Sequence, residues 1–208
     1  MYPNPESGPP VVRLILGFPP LSLVMHEIEP FFNWRHLYTA EEDESSPFYG
    51  KEYSEFEYCN KIYNYFIHPQ WDEFDSNTMY LKILYTDYDQ GYSILELIGE
   101  WNDAVENDIM MLKRNVIDPL LEKGIQKFIL IAENVLNFHS SDVEYYAEWK
   151  EDVEDGWIII LNAPDQTRRE FLREKIGHYI LFGDVANWRT FQPQHFFQLV
   201  DNQMLRLM

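Results

Sequence analysis

The stretch from Gly91 to Val135 constrains the fold more than any other part of the chain. It contains an apolar run, a long amphipathic segment and a second apolar run in direct succession. Tyr92-Ser-Ile-Leu-Glu-Leu-Ile98 is short, aliphatic and β-branched, which suits a strand. Asp103 and Glu106 then stand at capping-box spacing, in which each side chain satisfies a free backbone N–H at the start of a helix. Val105, Ile109, Leu112, Val116 and Leu120 follow at helical spacing and predict one buried face. Lys123-Gly124 puts a cation in the last turn and a residue tolerant of positive φ after it, so the helix is predicted to stop there. Phe128-Ile-Leu-Ile-Ala132 reads as a buried strand. A strand-helix-strand unit of this kind places its strands parallel, joined by a right-handed crossover. Pro119 falls inside the predicted helix, where it removes a hydrogen bond and clashes one turn back, so a kink near Asn115 is expected as the helix bends over the sheet.

A chain of 208 residues with 46% hydrophobic and 16% aromatic residues can bury one good core with an extension beside it. The net charge of −19 repels phosphate, which argues against nucleic acid and anionic membrane surfaces as partners. Otherwise the acidity reads as a means of solubility. Cys59 is the single cysteine, so neither an intrachain disulfide nor a thiolate metal site is expected. No basic segment precedes the apolar run from Val11, and Pro19-Pro20 interrupts that run short of a bilayer span, so the cytoplasm is the expected location.

Residues 1–10 carry four prolines and predict an irregular arm, followed by short extended runs at Val11 to Leu16 and Leu21 to Met25. Glu41-Glu-Asp-Glu44 with Ser45-Ser-Pro47 reads as a solvated loop. Ser54 and Glu57 form a second capping-box spacing, and Phe56, Cys59, Tyr63 and Phe66 fit a helix ending before Pro69, although their aromatic content would equally suit a strand. Met79 to Thr86 and Tyr92 to Ile98 flank Asp87-Tyr-Asp-Gln-Gly91, the signature of a hairpin. Ser141 and Glu144 give a third capping box, opening a helix to about Val153. Gly156 to Leu161 is a buried strand, Pro164-Asp165 opens a helix with Phe171, Leu172 and Ile176 on one face, and His178 to Phe182 is a further strand. Pro193 suits the first turn of a final helix through Phe196, Phe197 and Val200.

From Met79 the predicted order is β-β-α-β-α-β-α-β-α, and within it Phe128-Ile-Leu-Ile-Ala132 runs on to Leu136-Asn-Phe-His-Ser-Ser141. Over residues 76–208 this resembles the STAS domain, the fold of bacterial anti-sigma-factor antagonists, and in particular its sporulation-antagonist-like (SpoIIAA-like) branch. The local match is similar to the family's third strand and phosphoacceptor turn, where Asp-Ser-Ser-Gly opens the next helix. The resemblance implies an α/β fold with a STAS-like mixed β-sheet, with Ser140 and Ser141 as the motif serines and Ser141 as the phosphorylated one. His139 stands in place of the motif Asp, and Asp142 in place of the motif Gly. Residues 1–75 have no counterpart and form an aromatic-rich N-terminal extension, expected to pack on or beside the 76–208 domain.

Two sets of residues are candidates for function. As an N-cap, Ser141 would accept an N–H from the first turn, worth about 1 kcal/mol. As a phosphoserine it would place negative charge at the positive end of a helix dipole, where Asp142 and Glu144 already crowd the turn, so the cap is the preferred reading. The second set follows from the fold, because open α/β sheets bind ligands beyond the carboxyl ends of their parallel strands. Those ends hold Glu100, Trp101 and Asn102, then Glu133 and Asn134, then Asn162 and Asp165, then Asp184, Asn187 and Trp188, with His139 beside them. Carboxylates with a histidine can do acid–base work or hold a hard metal ion, yet the same residue types are also ordinary turn and cap residues.

The chain has no Walker loop, Gly-x-Gly-x-x-Gly or Gly-x-Ser-x-Gly, and no catalytic residue, cofactor or metal is assigned. His68 to Asp75 reads as a surface loop anchored by Trp71 and Phe74 in preference to a metal site. His26, His36, His178 and His195 are scattered. The aromatics of residues 1–75 read first as cover for one sheet face, with a partner-binding or homodimer surface as the alternative. The expected function is a cytoplasmic, non-catalytic protein-interaction or regulatory module whose partner is a protein or a second copy. The alternative is a small-ligand-binding protein or an enzyme using the strand-end carboxylates.

Overall fold

The hairpin around Asp87–Gly91 and the strand-helix-strand unit that follows it build one mixed sheet. In a computed structural model, which describes residues 28–54, 56–141 and 143–206, two short strands come first, β1 (Lys61–Ile62) and β2 (Tyr65–Phe66), paired with each other. Then β3 (Met79–Asp87), β4 (Tyr92–Asn102), β5 (Lys127–His139), β6 (Trp157–Leu161) and β7 (Leu181–Gly183) lie side by side in chain order. β3 and β4 are antiparallel, and each later pair is parallel. β5 is therefore central, as a continuous apolar run should be. The proline-rich arm and the runs at 11–25 lie outside the described residues.

The long amphipathic segment is divided into α1 (Asp108–Leu112), a π-helical stretch Lys113–Ile117 and α2 (Asp118–Glu122). Pro119 has no N–H to give back to the preceding turn. The chain meets this with one wide turn, in which the Asp118 N–H reaches the Lys113 carbonyl five residues back. The distortion sits where the kink was expected, around Asn115. Gly124 ends the helix at φ +87°, with its N–H on the Leu121 carbonyl at 2.9 Å. α3 (Glu144–Asp152), α4 (Asp165–Arg173) and α5 (Pro193–Met204) complete the helices, α5 with proline in its first turn.

Several boundaries differ from the sequence reading. β4 and β5 overrun their apolar cores to Asn102 and His139, so the helix starts at Asp108 and Val105 is 76% exposed rather than part of the buried face. Gly99 makes the overrun feasible: at φ +125°, a Cβ there would lie 2.2 Å from the Thr78 carbonyl oxygen. Asp103 still caps the helix, but from a distance, accepting the Ile109 N–H at 2.9 Å. Ser54 accepts the N–H groups of Phe56 and Glu57 at 3.2 and 2.9 Å, yet the chain continues into the β1–β2 hairpin and not a helix. The same side-chain-to-backbone bond serves a turn as well as a cap. The acidic run at 41–44 is a loop with Glu42 and Glu44 exposed, as expected, but Asp43 turns inward to accept the hydroxyls of Tyr38 and Tyr88 at 2.9 and 2.5 Å, and the neighbouring Ala40 and Phe48 are core residues. Residues 176–178 form a 3-10 turn, and the last strand begins at Leu181 instead of His178.

The sheet is covered on both faces. Leu81, Ile83, Leu95, Leu97, Phe128, Leu130, Ile158 and Ile160 pack with Ile109, Leu112, Val116, Leu120, Trp149 and Phe171 of the helices. On the other face Leu84, Ile94, Ile129, Ile131, Ile159 and Leu161 pack with Phe196, Phe197 and Val200 of α5, and with Trp34 and Trp188. Tyr80 and Ile98 join Ile62, Ile67 and Trp71 in a smaller cluster.

Candidate functional site

The second face carries charge where a buried sheet usually carries none. Alternation along β3 places Lys82 between Tyr80 and Leu84, and along β4 places Glu96 between Ile94 and Ile98. The two are direct partners in the antiparallel ladder and are 4% and 1% exposed. Lys82 lies 3.3 Å from Asp72 Oδ2 and 3.5 Å from Glu41, and it donates to the Tyr53 hydroxyl at 2.8 Å. Asp72 is fully buried. It receives the Tyr53 hydroxyl, an ion pair from Lys51 at 3.2 Å, and a two-way backbone bridge to Leu81 at 2.7 and 3.1 Å. Burial pulls the Lys82 pKa down, and the Asp72 and Glu41 carboxylates oppose it.

Glu96 is held from the other side. It accepts the Phe31 backbone N–H at 2.7 Å and pairs with Arg189 at 3.2 Å. Arg189 also reaches Glu133 at 2.5 Å, and Glu133 accepts the Trp188 indole N–H at 2.8 Å and an Asn162 amide N–H at 3.0 Å. The Arg189 guanidinium stands 4.6 Å from the Trp188 ring centroid. Over this network lies the Phe31–Trp34 turn. The Phe31 ring meets Trp188 at 4.8 Å and Trp34 at 5.0 Å, and the Trp34 indole N–H donates to the Phe191 carbonyl at 2.9 Å. Burial pushes the Glu96 carboxyl up to about 7, against the Phe31 N–H and Arg189, with Glu133 adding to the rise.

The strand-end residues singled out in the sequence fall into separate places. Glu133 and Trp188 meet directly and are joined by Asn162. Trp101 is instead a core side chain: its N–H goes to Asp103 at 3.0 Å, and it stacks on Tyr146 at 6.3 Å. The Tyr146 hydroxyl donates to the second oxygen of Asp103 at 2.6 Å, and burial, against these donors, raises the Asp103 pKa to about 6. Glu100 sits at the surface, receiving the Tyr63 hydroxyl and an Asn137 amide N–H at 3.0 Å. Burial would raise its pKa, but Tyr63, Asn137 and the nearby His139 bring it down. Asp184 pairs with Arg168, which lowers its pKa. Asn102 accepts the Val105 N–H at 3.1 Å, Asp165 begins α4, and Asn187, at φ 56°, precedes the turn that carries Trp188. Asn134 lies in the β4–β5 ladder opposite Ile98. Glu133, His139 and Asp184 thus have different neighbours.

At the β5–α3 turn, Ser140 donates to the Ser141 carbonyl at 3.3 Å, and Ser141 is exposed. The helix begins at Glu144 with Val143 as its N-cap and no side-chain capping bond, so the expected cap at Ser141 is corrected: the serine lies two residues ahead of that position. Among the described residues no cluster of three or more His, Cys, Asp or Glu is placed to hold a metal ion, and no helix is long and apolar enough to cross a membrane. Trp71 and Phe74 anchor the 68–75 loop as expected, but the same loop supplies the buried Asp72. Sequence reading missed Lys82, Asp72, Glu96 and Arg189. The signal was one lysine and one glutamate inside apolar strand runs.

No family model matches the chain, and no curated protein matches it. Among solved structures it is similar to the anti-sigma factor antagonist SpoIIAA in its unphosphorylated form, at 14% identity over 59% of this chain and 96% of that one, with a TM-score of 0.43. It is similar also to a Thermotoga maritima chain described as an anti-sigma factor antagonist, at 19% identity over 51% and 86%, TM-score 0.38. A third likeness is to the Bacillus cell fate determinant SpoIIAA in its phosphorylated form, at 13% over 58% and 98%, TM-score 0.37. All three are distant likenesses at low identity, and neither a fold family nor a residue role is taken from them.

Proposed function

We propose that this chain is a non-catalytic, STAS-like regulatory module that works in the cytoplasm by binding another protein or a second copy of itself. The observation that carries the reading is at the carboxyl ends of the parallel strands, where open α/β sheets gather ligand-binding groups. Here Glu133 is engaged by Trp188, Asn162 and Arg189, and Asp184 by Arg168. Residues preceding the domain, taken as an extension through residue 75, cover the Glu96 side of that region and present Phe32, Tyr49 and Phe56 to solvent. Exposed aromatics are the side chains that most often anchor protein interfaces. Affinity capture from the native host tests the reading. A partner held by the wild-type chain should be lost at least tenfold on replacing Phe32, Tyr49 and Phe56 together by Ala. If no protein is captured and light scattering finds only monomer, the reading fails.

One observation favours the ligand or enzyme alternative: the Glu96 carboxyl, pushed up to about 7 beside Arg189, is poised near neutrality. A small molecule that raises the Tm of the wild type but not of Glu96→Gln would support it.

A further inference from the structure

The Phe31–Trp34 turn is held on the sheet as a peptide ligand is held on a receptor. It makes two polar contacts, the Phe31 N–H on the Glu96 carboxylate and the Trp34 indole N–H on the Phe191 carbonyl. It buries Trp34, and its two rings pack against Trp188 and Phe196. Its own shape is local, from the Arg35 N–H on the Phe32 carbonyl at 3.0 Å and the Leu37 N–H on the Trp34 carbonyl at 2.8 Å. The receptor side comes mainly from β4 and the chain after β7, with Leu84 of β3 in the same apolar cluster, and its polar frame is set from β5. Glu133 fixes both Trp188 and Arg189, and Arg189 stands over the Trp188 ring. A turn whose only role was to cover the sheet would be served by an apolar floor, because a buried carboxylate must be desolvated and gains back only what its partners supply. Glu96 instead offers an acceptor to a backbone N–H, a feature that any peptide turn can present.

We propose that the Phe31–Trp34 turn is an intrachain ligand, tethered on either side by the Trp71 indole N–H on the Ile28 carbonyl at 2.8 Å and by the Tyr38 hydroxyl on Asp43 at 2.9 Å. On this view the groove of Glu96, Trp188, Phe191 and Phe196 is a peptide-binding site that takes, in exchange, a partner's turn bearing two aromatic side chains three residues apart and a free backbone N–H. The proposal rests on the interaction-module reading and names the surface through which that module binds. In the resting chain the groove is closed, and a competing segment binds in proportion to the fraction of molecules whose turn has left it.

The test uses a fluorescein-labelled synthetic peptide of residues 28–38 and the full chain carrying Phe31→Ala and Trp34→Ala. Fluorescence anisotropy should show the peptide binding the double variant at least tenfold more tightly than the wild type. Adding Trp188→Ala should remove that gain. Should the double variant lose its near-UV circular dichroism, the peptide added in trans should restore it. A folded double variant that binds no better than wild type overturns the proposal, as does an unfolded one that the peptide does not restore. If the peptide fails while the wild-type chain captures a partner, the groove assignment falls and the interaction-module reading stands. If the peptide binds but no partner or dimer is found, the module reading falls and the groove remains.

Discussion

On the face that meets the helices, β3 to β6 present Leu81, Ile83, Leu95, Leu97, Phe128, Leu130, Ile158 and Ile160. On the face that meets residues 28–75 and α5, the same strands place Lys82 and Glu96 among comparable aliphatic neighbours, with Glu133 farther along β5. On the first face the strands themselves meet the helices by apolar burial, which is non-directional and worth roughly 25 cal/mol per Å² removed from water, and the buried Asp103 stands past the end of β4. The second adds to its own apolar cluster charged pairs whose Coulomb energy must offset their desolvation, so the pairs contribute little net stability. What it adds is register: Lys82 accepts only a cover that brings Asp72 and Glu41, and Glu96 only one that brings a donor such as the Phe31 N–H. A face closed in this way can be matched by a particular segment and exchanged for another.

The sharpest way to break the comparison is to remove one member of a buried pair. Asp72→Ala leaves Lys82 with the Tyr53 hydroxyl and one more distant carboxylate, Glu41 at 3.5 Å, and should destabilise by about 3–5 kcal/mol in urea titration. Replacing both, as Asp72→Leu with Lys82→Met, should recover most of that loss. If the double variant is as unstable as the single one, the second face contributes stability like the first and the contrast is wrong. On the helix-covered face the opposite behaviour is expected. Leu112→Ala should cost about 2–5 kcal/mol, with no compensating substitution elsewhere, because it opens a cavity.

The legibility of the two faces differs for the same physical reason. Helical and strand periodicity report apolar burial, so the succession of strands from Met79, the burial of β5, the Ile109–Leu120 face and the stop at Gly124 could all be read in advance. Periodicity is silent about where a charge will find its partner. Glu96 meets Phe31 and Arg189 across 65 and 93 residues of sequence, and nothing local to any of them announces it. Local polar signals were legible but ambiguous: Ser54 makes the bonds of a cap and yet belongs to a turn, and Asp103 caps a helix five residues away. The strand overruns past Ile98 and Ala132 escaped because their core residues, Trp101, Val135 and Phe138, are interleaved with polar ones and break the continuous apolar run.

Titration separates the faces more gently. The Glu96 carboxyl ordinarily titrates at 4.5, and burial raises it to about 7 in the folded chain, so the native state holds this proton more tightly than the unfolded one. Its contribution is therefore complete below about 4.5 and is lost as the pH rises through 7. Glu96→Gln cannot ionise. The stability of wild type relative to this variant should fall by about 2–3 kcal/mol between pH 5 and pH 8, measured by urea unfolding at intervals across that range. A flat difference would mean that Glu96 is ionised in the folded chain at both ends, held by Arg189 as an ordinary ion pair.

The smallest effect is expected at the rim of the helix-covered face, where β5 passes into α3. If that face is closed by apolar contacts alone, polar substitutions at its edge should be nearly silent. Ser141 tests this, because its capping-box spacing with Glu144 suggests a hydroxyl worth about 0.5–2 kcal/mol, whereas the helix takes Val143 as its N-cap and leaves Ser141 exposed. Ser141→Ala and Ser141→Asp should both fold within about 0.5 kcal/mol of wild type. A loss in the Ala variant that the Asp variant restores would show that the side chain caps α3 in solution and that the rim is polar in its energetics too. A phosphate on Ser141, found by intact-mass measurement of protein from the native host and mapped to that residue, would do more. It would place a regulated charge on the face that otherwise depends on apolar burial, and Ser141→Asp should then alter partner capture while Ser141→Ala does not.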